Sequence, residues 1–193
     1  MMREEKIFYF DYYKEEENTE KLLDLVKDFC DRKGIKDIVI ASTRGLTARL
    51  AMERFPSDKY NVVIVTHVCW FRGYKQEFDE NLRGELEKKG YKVLTAAHAM
   101  SGIGRAVSSK FGGITPGSII ASTLRLFCEG MKVAVEIACM ATDAGYIPID
   151  RDVVAIAGTG RGADTAILIT PKTSRNFFDI KIKEIIAKPV YKE

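Results

Sequence analysis

Residues 37–50, DIVIASTRGLTARL, decide how the rest of the chain is read. The apolar run Ile38-Val39-Ile40-Ala41 has no polar face, so it reads as a strand buried on both sides, which is the mark of a parallel strand covered by helices. It breaks at Ser42-Thr43-Arg44-Gly45, and a helical pattern starts at Leu46. A strand, a short polar loop and a helix in that order make the first half of a βαβ unit.

Working outward, the same alternation repeats. Upstream, residues 7–11 have aromatic β character, and a helix is expected to begin at Asn18 or Thr19 and end at Gly34. The central strand is expected over 35–41 and its helix over 46–55. Downstream follow a strand over 61–66, a helix over 75–89 and a strand over 91–96. The glycine-spotted segment 98–113 reads as a loop. Thr115-Pro116 supplies an N-cap and a first helical residue for an apolar helical stretch to Gly145, broken near Gly130, and this stretch is the expected centrepiece or oligomer face. Two more buried strands, 152–158 and 165–171, are joined by TGRGAD alone. That link is too short for a crossover helix, so the pair is expected to form an antiparallel hairpin. The alternating tail 178–186 reads as an edge strand.

The expected fold is one α/β domain spanning 1–193: a three-layer sandwich around a mostly parallel sheet with a C-terminal antiparallel hairpin. Composition fits an ordinary globular chain, with 46% hydrophobic and 30% charged residues. A net charge of +3 is too small to argue for a nucleic-acid partner, and none is expected. No apolar run approaches the ~20 residues that cross a bilayer, and the start of the chain has no signal-peptide core. Four cysteines without a CxxC pair point to free thiols in a reducing cytoplasm.

Ligands of open α/β sheets sit beyond the carboxyl ends of the strands. There the sequence places Ser42, Thr43, Arg44, Gly45 and Thr47; Thr66 and His67; His98 and Ser101; and Gly158-Thr159-Gly160-Arg161-Gly162-Ala163-Asp164. The first loop suits a phosphate, through its hydroxyls, its backbone N–H groups, the Arg44 charge and the start of a helix. It equally suits a plain helix cap with a solvated arginine, and both readings stand open at this point. The GTGRGAD loop has the spacing GxGxG and precedes a strand, so it is no dinucleotide fingerprint. It reads either as an anion grip or as a hairpin turn. His67 and His98 are the candidate acid–base groups. With no carboxylate near them in sequence they make a poor metal site, and none is expected. Cys69 reads as a bland thiol. Trp70, Phe71 and Tyr74 suit either packing or stacking on a planar ring, and Lys75–Lys89 reads as a solvated helix face.

Two stretches carry a family likeness. Residues 37–56 resemble the first strand, effector loop and helix of the pyruvate kinase carboxy-terminal domain, and residues 152–169 resemble its last hairpin, whose Gly-rich loop closes over the effector's phosphate. The likeness runs from about Ile35 to Thr170 and does not extend to the catalytic barrel, so pyruvate kinase activity is not expected. It is nearer still to the stand-alone archaeal and bacterial proteins called pyruvate kinase alpha/beta domain-like, through Asn18-Thr19, Thr66-His67, His98-Ala99-Met100-Ser101 and residues 158–164. The resemblance implies flavin mononucleotide (FMN) as ligand, with a sugar phosphate as second choice. It puts Asn18 in the binding set and implies Ser42, Thr43, Gly45 and Thr47 on one side of the phosphate with Gly160, Arg161 and Gly162 on the other. Asp164 is then expected on a ribityl or ribose hydroxyl, and Thr66, His67, His98 and Ser101 around the ring or tail. A flavin-dependent oxidoreductase, another enzyme acting on a phosphorylated metabolite, and an oligomeric scaffold are the alternatives.

Overall fold

The computed structural model describes residues 2, 4–11, 14–73 and 75–190. Seven strands form one sheet: β1 (Phe8–Phe10), β2 (Asp37–Ala41), β3 (Asn61–Val65), β4 (Lys92–Leu94), β5 (Val153–Ala157), β6 (Thr165–Thr170) and β7 (Lys181–Pro189). Their order is β1-β7-β6-β5-β2-β3-β4. The contiguous strands β5, β2, β3 and β4 are parallel, β5 to β6 and β6 to β7 are antiparallel, and β1 runs parallel to β7.

The expected hairpin is present, with Val153 opposite Ile169 and Ala157 opposite Thr165. The tail strand β7 is not an edge, because β1 pairs along its outer side. Alternation along that strand reflects partial exposure of its first residues, which a sequence cannot distinguish from an open edge.

Alternate side chains of the central strands feed two cores. Ile38, Ile40, Val62, Ile64, Val154 and Ile156 pack beneath α1 (Glu15–Lys33), α2 (Leu46–Arg54) and α3 (Glu80–Lys88). Val39, Val63, Val65, Val153, Ala155 and Ala157 pack against α6 (Glu129–Asp143) on the other face, with α5 (Pro116–Arg125) beside it. Helices on both faces of one sheet make the three layers.

Several boundaries differ from the sequence reading for local reasons. Helix α1 begins at Glu15, three residues before Asn18. Glu15, Glu16 and Glu17 occupy its first turn, where carboxylates suit the helix dipole, and this leaves Asn18 and Thr19 buried inside the helix. Helix α3 starts only at Glu80, because Asp79 caps it by accepting from the Asn81 and Leu82 N–H groups. Ahead of it, the Gln76 side-chain oxygen accepts from the N–H groups of Glu77 and Phe78, which holds that stretch out of helical form. Tyr74 lies outside the described residues.

The segment expected to be a loop contains α4 (Gly102–Phe111). Ile103, Val107 and Phe111 stand four apart along it, a helical period that Gly102, Gly104, Gly112 and Gly113 masked, and none of its residues is buried. Thr115 and Pro116 open α5 as expected, with a capping box to Ser118. The apolar stretch beyond is broken at 126–128, just before α6 starts. Helix α6 is the buried centrepiece. Helices α4 and α5 and their flanks instead expose Ile103, Phe111, Ile114, Ile119 and Leu126.

Candidate functional site

Strands β2, β3 and β4 step across the sheet in one direction, whereas β5 lies on the opposite side of β2. The carboxyl ends of β2 and β5 therefore lie side by side at the point where the strand order reverses, β2 leading into α2 and β5 turning back into β6, and their loops flank a crevice. A cavity of about 550 Å³ lies there. The loop 42–47 forms one wall, 158–162 another, and 66–72 with 98–101 a third. Helices α4, α5 and α6 complete it.

The first wall is set by Gly45, whose φ of 111° turns the chain from β2 into α2. A Cβ there would lie 2.5 Å from Leu82 Cδ2, so this glycine serves the turn and the packing on α3; it does not itself line the cavity. Ser42 is buried, and its Oγ accepts from the Ala48 N–H at 3.3 Å, closing the first turn of α2 from inside. The helix-cap reading thus holds for Ser42. The N–H groups of Leu46 and Thr47 in that turn have no acceptor among the described residues. Thr43, Arg44 and Thr47 line the cavity, with Arg44 exposed at its mouth.

The opposite wall is pinned to α1. Gly162 has φ 71°, and a Cβ there would lie 2.4 Å from the Glu15 carbonyl oxygen and 2.5 Å from Thr19 Oγ1. Ala163 N–H donates to Thr19 Oγ1 at 2.8 Å. Gly158, Thr159, Gly160, Arg161 and Gly162 all face the cavity. Asp164 does not. It is buried, and its carboxylate accepts from Thr159 N–H at 3.1 Å and from Thr165 Oγ1–H at 2.6 Å, so it shapes the loop. Asn18 is likewise buried in α1 and absent from the cavity wall, which is reached instead by Glu15.

The third wall holds both histidines. Rings of His67, Phe71 and His98 form a mutual cluster, with centroids 4.5 Å, 5.0 Å and 5.6 Å apart. His67 Nδ1 lies 2.9 Å from Glu77 Oε1, and its Nε2 lies 3.5 Å from Thr43 Oγ1. Burial holds the His98 imidazole below the ordinary histidine range; Glu136 opposes this, while His67, Lys132 and Arg105 add to it. Thr66 lines the wall, but its hydroxyl is shared with Thr95 Oγ1 at 2.7 Å. Ser101 starts α4. Trp70 stands off the cavity, exposed, with a left-handed φ of 64°.

Sequence reasoning missed the charged residues behind these walls. Glu77 falls in a run read as a solvated face, yet its side chain is only 6% exposed. It is the carboxylate that the two histidines lacked in sequence. Lys132 and Glu136 are buried on α6 and paired with each other, and Glu136 Oε1 also accepts from the Met100 N–H at 3.0 Å. Their signal was legible: two opposite charges four apart inside the apolar MKVAVEIACM. Arg44, Arg72, Arg105, Arg125, Lys132 and Arg161 outnumber Glu15, Glu77, Glu129 and Glu136 around the cavity, which favours an anion.

The pyruvate kinase alpha/beta domain model matches residues 20–169, spanning every strand of the crevice. The chain belongs to that family. Among solved structures, a pyruvate kinase from Cryptosporidium parvum is similar over 78% of this chain and 22% of that enzyme's, at 13% identity and a TM-score of 0.39. The family match rests on the alpha/beta domain, and in this chain the C-terminal strands are antiparallel.

Among the described residues no group of His, Cys, Asp and Glu is arranged to hold a metal ion, and no helix is long and apolar enough to cross a membrane. All four cysteines are unbridged. Burial pushes the Cys30 and Cys139 thiols up to about 12, while Cys69 is exposed beside Gln76.

Proposed function

We propose that this member of the pyruvate kinase alpha/beta domain family is a binding module for a phosphorylated small molecule, FMN with its planar ring being the first choice and a sugar phosphate the second. The observation that carries the reading is the opposition of two donor-rich loops, 42–47 and 158–162, across one crevice at the switch point of the sheet. The phosphate lies against Thr43, the free N–H groups of Leu46 and Thr47, and the charges of Arg44 and Arg161. The ring lies toward Phe71, His67 and His98. The volume falls within the ~300–1,000 Å³ usual for small-molecule sites.

The donor set suits a phosphate monoester and the aromatic cluster suits a flavin. Asp164 is committed to its own loop, so no sugar hydroxyl is assigned to it. A bound flavin would supply hydride or single-electron chemistry, and the alternative of a flavin-dependent oxidoreductase follows from that. The unbridged thiols suit a reducing, cytoplasmic setting.

Purified protein tests the reading. A yellow preparation with flavin absorbance, or a thermal shift with FMN or a sugar phosphate, supports it; a colourless protein unmoved by either removes it.

The exposed apolar residues of α4 and α5 favour a second reading, in which copies of the chain associate through this face. Light scattering distinguishes the two, since a monomer at all concentrations leaves the face without that role.

A further inference from the structure

Glu77, His67 and Thr43 form an unbroken line of carboxylate, imidazole and hydroxyl, ending at the cavity beside the loop assigned above to the phosphate. The arrangement matches what an activated hydroxyl or a general base requires: a base within reach of a hydroxyl and a third group that orients the base. The Glu77 side chain is nearly enclosed, with one oxygen on His67 Nδ1 and the other buried without a hydrogen-bond partner among the described residues. A buried carboxylate with half its hydrogen-bonding capacity unmet would be costly as mere packing.

We propose that Glu77 is a positioning residue that holds His67 with its proton on Nδ1, leaving Nε2 as the base of an acid–base site. Its substrate class is a phosphorylated compound that brings a hydroxyl to Thr43. This rests on the phosphate reading above.

The step is a plain proton transfer. The ligand's O–H bond breaks, an N–H bond forms at Nε2, and the hydroxyl oxygen keeps the electron pair. The imidazolium charge is met by the Glu77 carboxylate, and the proton returns by the same route. Thr43 Oγ1 can stand between ligand and imidazole, passing one proton on as it accepts another. His98 and Phe71 also face His67, and the Arg72 and Arg105 guanidinium groups each lie 5.9 Å from the Phe71 ring centroid. Burial disfavours the charged form of His98, with Glu136 opposing that effect.

The chain has only two histidines, so nitrogen-15 NMR of histidine-labelled full-length protein resolves each imidazole. Free histidine favours the proton on Nε2. The expected result is His67 with its proton on Nδ1, return to the Nε2-protonated form in Glu77→Leu, and retention of the native form in Glu77→Gln, whose amide oxygen still accepts. An unchanged far-ultraviolet circular dichroism spectrum and denaturation midpoint report that each variant is folded. Diethyl pyrocarbonate should then modify His67 in the native protein faster than in Glu77→Leu, with FMN protecting it. An Nε2-protonated His67 in the native protein, or a form and reactivity unchanged in Glu77→Leu, overturns the inference. FMN binding alongside that result leaves the phosphate reading intact, whereas correct proton placement without FMN protection overturns the assigned substrate class and counts against that reading.

Discussion

Thr19 and Ala163 lie 144 positions apart and meet at 2.8 Å, where the Ala163 N–H donates to Thr19 Oγ1. Both are buried, and the same hydroxyl donates to the Glu15 carbonyl, so one threonine fastens the first turn of α1 to the glycine-rich loop. Thr19→Val keeps the shape and removes the acceptor, leaving a buried N–H unpaired. We expect a loss of about 1–3 kcal/mol in urea denaturation, with Thr19→Ser near the native value.

Gly162 sits on the other side of the same contact. Its φ of 71° and the Glu15 oxygen 2.4 Å from any added Cβ make Gly162→Ala strained twice over. The backbone conformation alone is expected to cost about 1–3 kcal/mol, read from the shift in denaturation midpoint.

The Lys132 and Glu136 pair is buried in the wall of the cavity. Lys132→Met alone strands a carboxylate and is expected to destabilise by roughly 3–5 kcal/mol. Adding Glu136→Gln removes that charge while its amide oxygen still accepts from the Met100 N–H, so the double variant should recover most of the loss. A double variant no more stable than the single one would show that the pair itself, not the stranded charge, supplies the stability.

His98 gives stability a pH dependence. Its folded-state pKa lies below the ordinary 6.5 because of burial, so the unfolded chain binds the extra proton more readily. Stability should be full above that ordinary value, decline as pH falls below it, and level off beneath the folded-state pKa. Denaturation of His98→Gln across the same range should show a flatter profile.

The alternation of buried apolar runs and amphipathic helices makes the layers, the parallel core and the final hairpin readable from the chain alone, since burial on both faces leaves no other pattern for IVIA or VVAIA. The place of β5 beside β2 is not readable in the same way, because no local preference records which strand a distant one joins. Helix α4 escaped because Gly102, Gly104, Gly112 and Gly113 outweighed the helical spacing of Ile103, Val107 and Phe111. Thr43 and the 158–162 loop could be placed by rim position, yet Glu77 could not: it is recognisable only once the irregular turn ahead of α3 brings it back onto His67. Gly45 was read as a phosphate contact, whereas its left-handed turn and the approach of Leu82 are what require glycine there.

The most direct test of the central claim, a phosphate held between the two loops, is paired titration of the protein with FMN and with riboflavin, which shares the ring but lacks the phosphate. FMN should bind about tenfold or more tightly, as one charge-assisted contact of ~1.5–3 kcal/mol implies, and Arg44→Ala or Arg161→Ala should narrow the gap. Equal affinity for the two, or a gap untouched by either substitution, would contradict it.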